Sequence, residues 1–232
     1  MQQTSGHTLK AFDEDIDRLR ALISQMGGLA EHAIGEAMRC LVQRDIGGAL
    51  RVVENDKKLD SLEVETERRA VQLIALRAPM AGDLRDVVAA LKISGVVERI
   101  GDYAKNIAKR VPLIESVNKI EPLSLLPEMA RIATGMVHDV LDAFVQRDAD
   151  VAVQVCERDD AVDDFYDSIF RTLLTHMMED PHNIGHSTHL LFVAKNLERV
   201  GDHATNIAEM VYYAATGQHM TDRSRRHEAS AT

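Results

Sequence analysis

The chain has 232 residues and no tryptophan, and its aromatic residues amount to 4%. That poverty, set beside plentiful Ala, Leu, Val, Glu and Arg, argues against a sheet core and for helices. Cysteine is equally scarce. Cys40 and Cys156 sit in apolar helical patterns with no metal or redox spacing, as buried thiols of a reducing compartment do. No apolar run nears the roughly 20 residues that cross a bilayer, and the opening MQQTSGHTLK has no apolar signal core. The expected location is therefore the cytoplasm, with no direct membrane insertion. Positive charge is also in deficit. Lys and Arg number 27 against 37 Asp and Glu, a formal net charge of −10, which disfavours binding to a nucleic-acid duplex. No Gly-rich phosphate loop, Ser/His/Asp arrangement or nucleophile motif stands out.

What is present is a repeat. ERIGDYAKNIAK at 98–109 returns as ERVGDHATNIAE at 198–209, an offset of 100 residues with eight of the twelve positions identical. Val42-Gln43-Arg44-Asp45 returns as Val145-Gln146-Arg147-Asp148 at an offset of 103, so the second copy is three residues shorter between the two motifs. Apolar residues at helical spacing (Ile16, Leu19, Ile23, Met26, Ala30, Ala33, Ala37, Leu41) predict a first helix over about 12–44, with a kink allowed at Gly27-Gly28. A second helix follows over about 49–76, and a third over about 84–115 with Asp83 as its N-cap. The same cycle recurs after Pro127. The expected architecture is all-α: two tandem antiparallel three-helix bundles related by duplication, at 10–115 and 127–216. Residues 116–126 are the expected linker, and 1–9 and 217–232 are expected to be disordered.

Chemistry concentrates on the acidic positions. Glu98, Asp102 and Asn106 are spaced i, i+4, i+8, as are Glu198, Asp202 and Asn206, which aligns three oxygen ligands along one helix face opposite the apolar stripe. The preceding helix supplies Asp56 and Asp60 in the first unit and Asp159 and Asp163 in the second. Like charges at i, i+4 repel by a few tenths of a kcal/mol, and two such pairs on adjacent helices repel more unless a cation lies between them. Two readings stand. One is a solvated acidic surface balanced by Arg99, Lys105, Arg158 and Arg199. The other is a metal face, for which all-oxygen ligands suit hard or borderline ions and clustered carboxylates suit multinuclear sites. Gly101 and Gly201 mark close helix approach or backbone access. A weaker candidate is His182, His186 and His189, whose spacing is compatible with zinc but has no counterpart in the first unit. Asp160, Asp164 and Asp167 form an alternative ladder one residue away from Asp159 and Asp163.

The duplicated E-R-[IV]-G-D-x-A-x-N-I-A motif resembles the signature of the PhoU family. Arg77-x-Pro79-x-Ala81-x-Asp83-Leu84-Arg85 and Met177-Met178-Glu179-Asp180-Pro181 are similar to that family's loops, and the resemblance runs from about 10 to 216. It implies a cytoplasmic, usually dimeric, negative regulator of the phosphate-starvation response. Such a protein joins the phosphate ABC transporter ATPase to the sensor histidine kinase of a two-component system. It further implies binding of multinuclear iron, or of Zn, Mn or Mg, through Asp56, Asp60, Glu98, Asp102, Asp159, Asp163, Glu198 and Asp202. One departure is plain: Glu63 and Glu67 extend the first acidic stripe, whereas Tyr166 and Phe170 stand at the aligned positions. A metal-storing or metal-sensing carboxylate bundle is the alternative function. A ferritin-like di-iron enzyme is disfavoured, because such sites use Glu-x-x-His and the third residue after Glu98 and Glu198 is glycine.

Overall fold

Apolar periodicity becomes eight α-helices and no strand among the described residues of the computed structural model, which are 4–114 and 124–220, with side chains from Phe12 onward. In the first unit these are α1 (Thr4–Gln43), α2 (Ile46–Asn55), α3 (Lys57–Arg77) and α4 (Gly82–Ala108). In the second they are α5 (Leu125–Gln146), α6 (Ala149–Glu157), α7 (Asp159–Glu179) and α8 (Ile184–Thr216). The expected middle helix of each unit is thus two segments, bent at Asp56 and again at Arg158. Both bend residues keep right-handed helical dihedrals (φ −52°, ψ −36° and φ −82°, ψ −10°), so each is a kink in one rod. The architecture remains two three-helix units.

Local chemistry explains the punctuation. Arg44 and Arg147 both take the left-handed conformation (φ 56° and 58°) at the end of the first helix of their unit. Asp45 then accepts from the Gly48 N–H at 2.7 Å, and Asp148 accepts from the Asp150 and Val151 N–H groups at 2.9 and 3.0 Å. The repeated Arg-Asp pair is therefore a helix stop followed by an N-cap. Gly217, also left-handed, ends α8 as expected. Asp83 is not the cap of α4. That helix starts at Gly82 after Ala81, and no side chain caps it.

Within the stretch 1–9, α1 has begun at Thr4. Extension of a formed helix needs no second nucleation, so helix runs past the first residues of the apolar stripe. Residues 1–3, most of the expected linker and the tail beyond 220 lie outside the described residues, and Leu125 and Leu126 already belong to α5. The helix α1 runs unbroken past Gly27. A Cβ there would collide with Leu141 of α5, so the glycine marks close helix approach.

A single apolar core runs through both units. The motif helices α4 and α8 pack on each other at its centre, α1 packs on α4 and α5, and α3 and α7 cover the outer sides of α4 and α8. Ile23, Met26, Ile34, Ile93, Ile100, Met136 and Ile169 are wholly buried, each stabilising by about 1.5–3 kcal/mol against exposure. The internal symmetry is visible in one pair. Tyr103 and His203, equivalent positions of the two motifs, meet across α4 and α8 at 3.0 Å.

The units are also joined by charge. Asp86 on α4 is buried, and its Oδ2 receives Arg20 of α1 at 3.2 Å and Arg147 of the second unit at 2.9 Å. Arg85 and Arg147 also donate to the Ala214 carbonyl on α8, both at 3.5 Å.

Candidate functional site

The acidic residues lie between the kinked helix and the motif helix of each unit. In the first unit α3 covers part of α4, so the face opposite the apolar stripe is not open solvent. Asp56 is 7% exposed, Glu98 and Asp102 are half-buried, and Asp60 and Asn106 are exposed. Gly101 permits this packing: a Cβ on it would stand 2.7 Å from Leu59 Cδ1 and 3.6 Å from Asp56 Oδ1. Gly201 does the same in the second unit, 3.0 Å from Asp159 Oδ1 and 3.3 Å from Val162 Cγ1. Close helix approach accounts for both glycines.

The structure does bring four first-unit acids together. The Glu98 carboxyl is pushed above its usual range, first by burial and then by the charges of Asp102, Glu63, Asp60 and Asp56. A cation already stands among them. Lys105 Nζ donates to Asp56 Oδ2 at 2.5 Å and to Asp102 Oδ1 at 2.9 Å. Those two bonds, Asp56 before Asp102, raise the proton affinity of the ammonium well above its ordinary value. The first face is therefore a lysine-filled acidic site.

The second face is built from the same helices with different side chains. Thr205 replaces the lysine and turns back to the Asp202 carbonyl at 2.7 Å. Lys195, at the position of Gly95, approaches from the other end and donates to Glu198 Oε1 at 2.5 Å. Its ammonium also lies 5.2 Å from the centre of the Tyr166 ring. Burial works against the charge on Lys195, but Glu198, Tyr166 and Asp202 outweigh it. The other oxygen of Glu198, Oε2, is buried without a hydrogen-bond partner. Asp159 and Asp163 are half-buried, while Asp160, Asp164 and Asp167 are exposed, which separates the two ladders that sequence left open. Asp202 and Asn206 are exposed, and the Asn206 amide lies 3.3 Å from His203 Nδ1.

Of the basic residues expected to balance these faces, Lys105 does so directly. Arg158 instead pairs with Asp139 at 2.7 Å, and Arg199 lies 5.9 Å from the Tyr103 ring centre. Lys195 was not anticipated, although Lys at i−3 from the motif Glu was the available signal. The three histidines do not assemble: His182 is 96% exposed and bonded to Asp180 at 2.9 Å. Among the described residues, no group of three or more His, Cys, Asp and Glu side chains is arranged to hold a metal ion. Among the described residues neither cysteine forms a disulfide, and no helix is long and apolar enough to cross a membrane.

Comparison with known proteins matches both units. The PhoU domain model fits residues 23–111 and again 126–211. A Zymomonas mobilis protein, phosphate-specific transport system accessory protein PhoU homolog, is 54% identical over 227 residues, 98% of this chain and 96% of that one. A Caulobacter vibrioides protein of the same description is 47% identical over 218 residues, covering 94% and 95%. Among solved structures, PhoU from Pseudomonas aeruginosa superposes with a TM-score of 0.85 at 35% identity, over 89% of this chain and all of that one. The phosphate transport system regulatory protein PhoU from Streptococcus pneumoniae gives 0.84 at 26% identity, over 91% and 100%. With both repeats and nearly the whole length accounted for, the chain belongs to the PhoU family of phosphate-transport accessory proteins.

Proposed function

We propose that the protein is a cytoplasmic negative regulator of phosphate uptake and of the phosphate-starvation response. In this reading it is a homodimeric, non-catalytic adaptor between the ATPase of a phosphate ABC transporter and a sensor histidine kinase. The observation that supports the role is the match of both repeats to the PhoU domain, together with relatives of the same length that carry the accessory-protein description. The fold suits an adaptor, since two equivalent helical faces joined by one core offer two surfaces in fixed relation. Affinity purification of the tagged chain from phosphate-replete cells is expected to recover the transporter ATPase and the kinase, and deletion is expected to derepress the starvation response. Recovery of neither, with the response unchanged on deletion, overturns the role.

The acidic faces add a metal to this reading. The buried Glu198 Oε2, without a hydrogen-bond partner, supports a divalent cation such as Mn or iron there, because an unpaired buried carboxylate oxygen is costly; Asp159, Asp163 and Asp202 would have to move toward it to complete the ligand set. On the first face Asp56, Asp60, Glu98 and Asp102 would hold one only after Lys105 swings away. A bound cation would neutralise the carboxylates and tie α7 to α8, or α3 to α4. Metal storage or sensing as the whole function is the second reading, supported by the same Glu198 oxygen. It predicts a metal content that changes partner binding, measured in a Glu198→Gln variant.

A further inference from the structure

The histidines set aside as a zinc spacing sit beside a different cation. Arg110 follows the end of α4, and its guanidinium crosses to the first two turns of α8, where His186 and His189 lie. Arg110 Nη1 is 3.2 Å from His189 Nδ1, and the guanidinium carbon is 4.2 Å from the centre of the Phe192 ring. Arginine nitrogens only donate, so His189 Nδ1 is the acceptor and its Nε2 carries the proton. Two nitrogens of this group, Arg110 Nε and His186 Nδ1, are buried without hydrogen-bond partners. A buried polar atom left unpaired costs about 1–3 kcal/mol.

Several other cations in this acidic chain have acids beside them, while half-buried Arg85 is held by the Ala214 carbonyl. Lys105 has Asp56 and Asp102, Arg20 and Arg147 share Asp86, Arg77 has Asp15, and Lys195 has Glu198. Arg110 has none among the described residues: burial alone acts on it, pulling its proton affinity down. His189 is pulled down too, by burial first and then by Arg110 and His186. Arg110 and His186 both act on His189, with no carboxylate between them among the described residues, at the N-terminus of a 33-residue helix that no side chain caps and whose dipole adds positive potential.

We propose that Arg110, His186 and His189, with the N-terminus of α8, form a binding site for a small inorganic oxyanion of the phosphate or sulfate type. The guanidinium fork and two imidazoles supply donors suited to several oxygens of one tetrahedral ion. Their half-buried setting suits a compact ion rather than a phosphodiester carrying groups on two oxygens. Zinc fits poorly there, because a fixed guanidinium repels a dication. The proposal does not rest on the adaptor reading and stands or falls separately from it.

The test is to follow the histidine ring resonances of the full chain by NMR at neutral pH during titration with inorganic phosphate, and in a second arm with sulfate. His186 and His189 are expected to shift together and saturably with at least one of the two ions. Arg110→Gln is expected to weaken binding about ten-fold or more, whereas Arg131→Gln, which loses only a surface pair with Glu128, leaves it unchanged. His189→Gln, checked for native helix content by circular dichroism, provides a second variant with the same expected loss. Absence of saturable shifts in the unaltered chain, equal binding by Arg110→Gln, or zinc binding in preference to either oxyanion overturns the site.

Discussion

The two acidic faces began as one sequence and have been neutralised from opposite ends. On the first, Lys105 lies seven residues after the motif glutamate and fills the gap between Asp56 and Asp102. On the second, Lys195 lies three residues before it and covers one oxygen of Glu198, leaving the other bare. The exchanges are coupled. Gly95 gives Glu63 room at 3.3 Å, whereas at the equivalent positions Lys195 lies over Tyr166. The second copy has lysine at 195 and tyrosine at 166 where the first has Gly95 and Glu63, and Thr205 stands where the first copy has lysine. Duplicated carboxylates do not make duplicate sites. Which cation neutralises them is decided by one variable position inside the motif (105 and 205) and one just before it (95 and 195).

That contrast can be broken most sharply at the lysines. Lys105→Met should leave Asp56 buried beside Asp102 with no cation, costing about 2–3 kcal/mol. This is less than the roughly 3–5 kcal/mol for a wholly buried pair, because Lys105 is 26% exposed. Lys195→Met, on a pair where lysine is 40% exposed, should cost about 1 kcal/mol or less by urea unfolding. Equal costs would mean that the two lysines do equivalent jobs. Adding Asp56→Leu to Lys105→Met should recover most of the loss, as apolar replacements of buried pairs do.

The glycines give a smaller contrast. Gly101→Ala forces its methyl against buried Leu59 and should destabilise by about 1 kcal/mol net of the helix propensity gained. Gly201→Ala meets a carboxylate oxygen and a valine methyl at longer range and should stay within about 0.5 kcal/mol of neutral. Thermal melts of the two variants decide it, and a greater loss at Gly201 would reverse the ranking.

The smallest effect concerns pH. A folded-state Glu98 with its proton affinity raised is penalised when charged, and the penalty is present above the unfolded pKa and relieved as pH falls through the raised folded value. Glu98→Gln should therefore raise Tm slightly at neutral pH, and the gain should vanish in acid below the ordinary glutamate range. A gain that persists there would show that charge is not its cause.

Much of this was readable before folding. The 100-residue repeat carried the duplication, and helical periodicity located the three helices of each unit. The kinks at Asp56 and Arg158 were not legible, since neither glycine nor proline marks them and both residues keep helical dihedrals. The eight acids were legible as two groups, because i, i+4 spacing fixes a helix face. The lysine between them was weighed only as a surface counter-charge. Its reach to Asp56 depends on how α3 packs on α4, a tertiary fact that spacing within one helix does not contain. The pairing of Asp86 was not legible for the same reason: its partners come from α1 and from the α5–α6 turn. The histidine spacing suggested zinc until Arg110, 79 residues from His189, came into contact with it.

On the proposed metal reading, the second face accepts a divalent cation more readily than the first. Elemental analysis of chelator-free protein after equilibration with Mn or ferrous iron, followed by gel filtration, tests it directly. The unaltered chain is expected to retain metal that Glu198→Gln removes and Asp102→Asn does not, and Lys105→Met is expected to gain more. Equal loss from Glu198→Gln and Asp102→Asn, or metal content unaffected by either, would contradict the account.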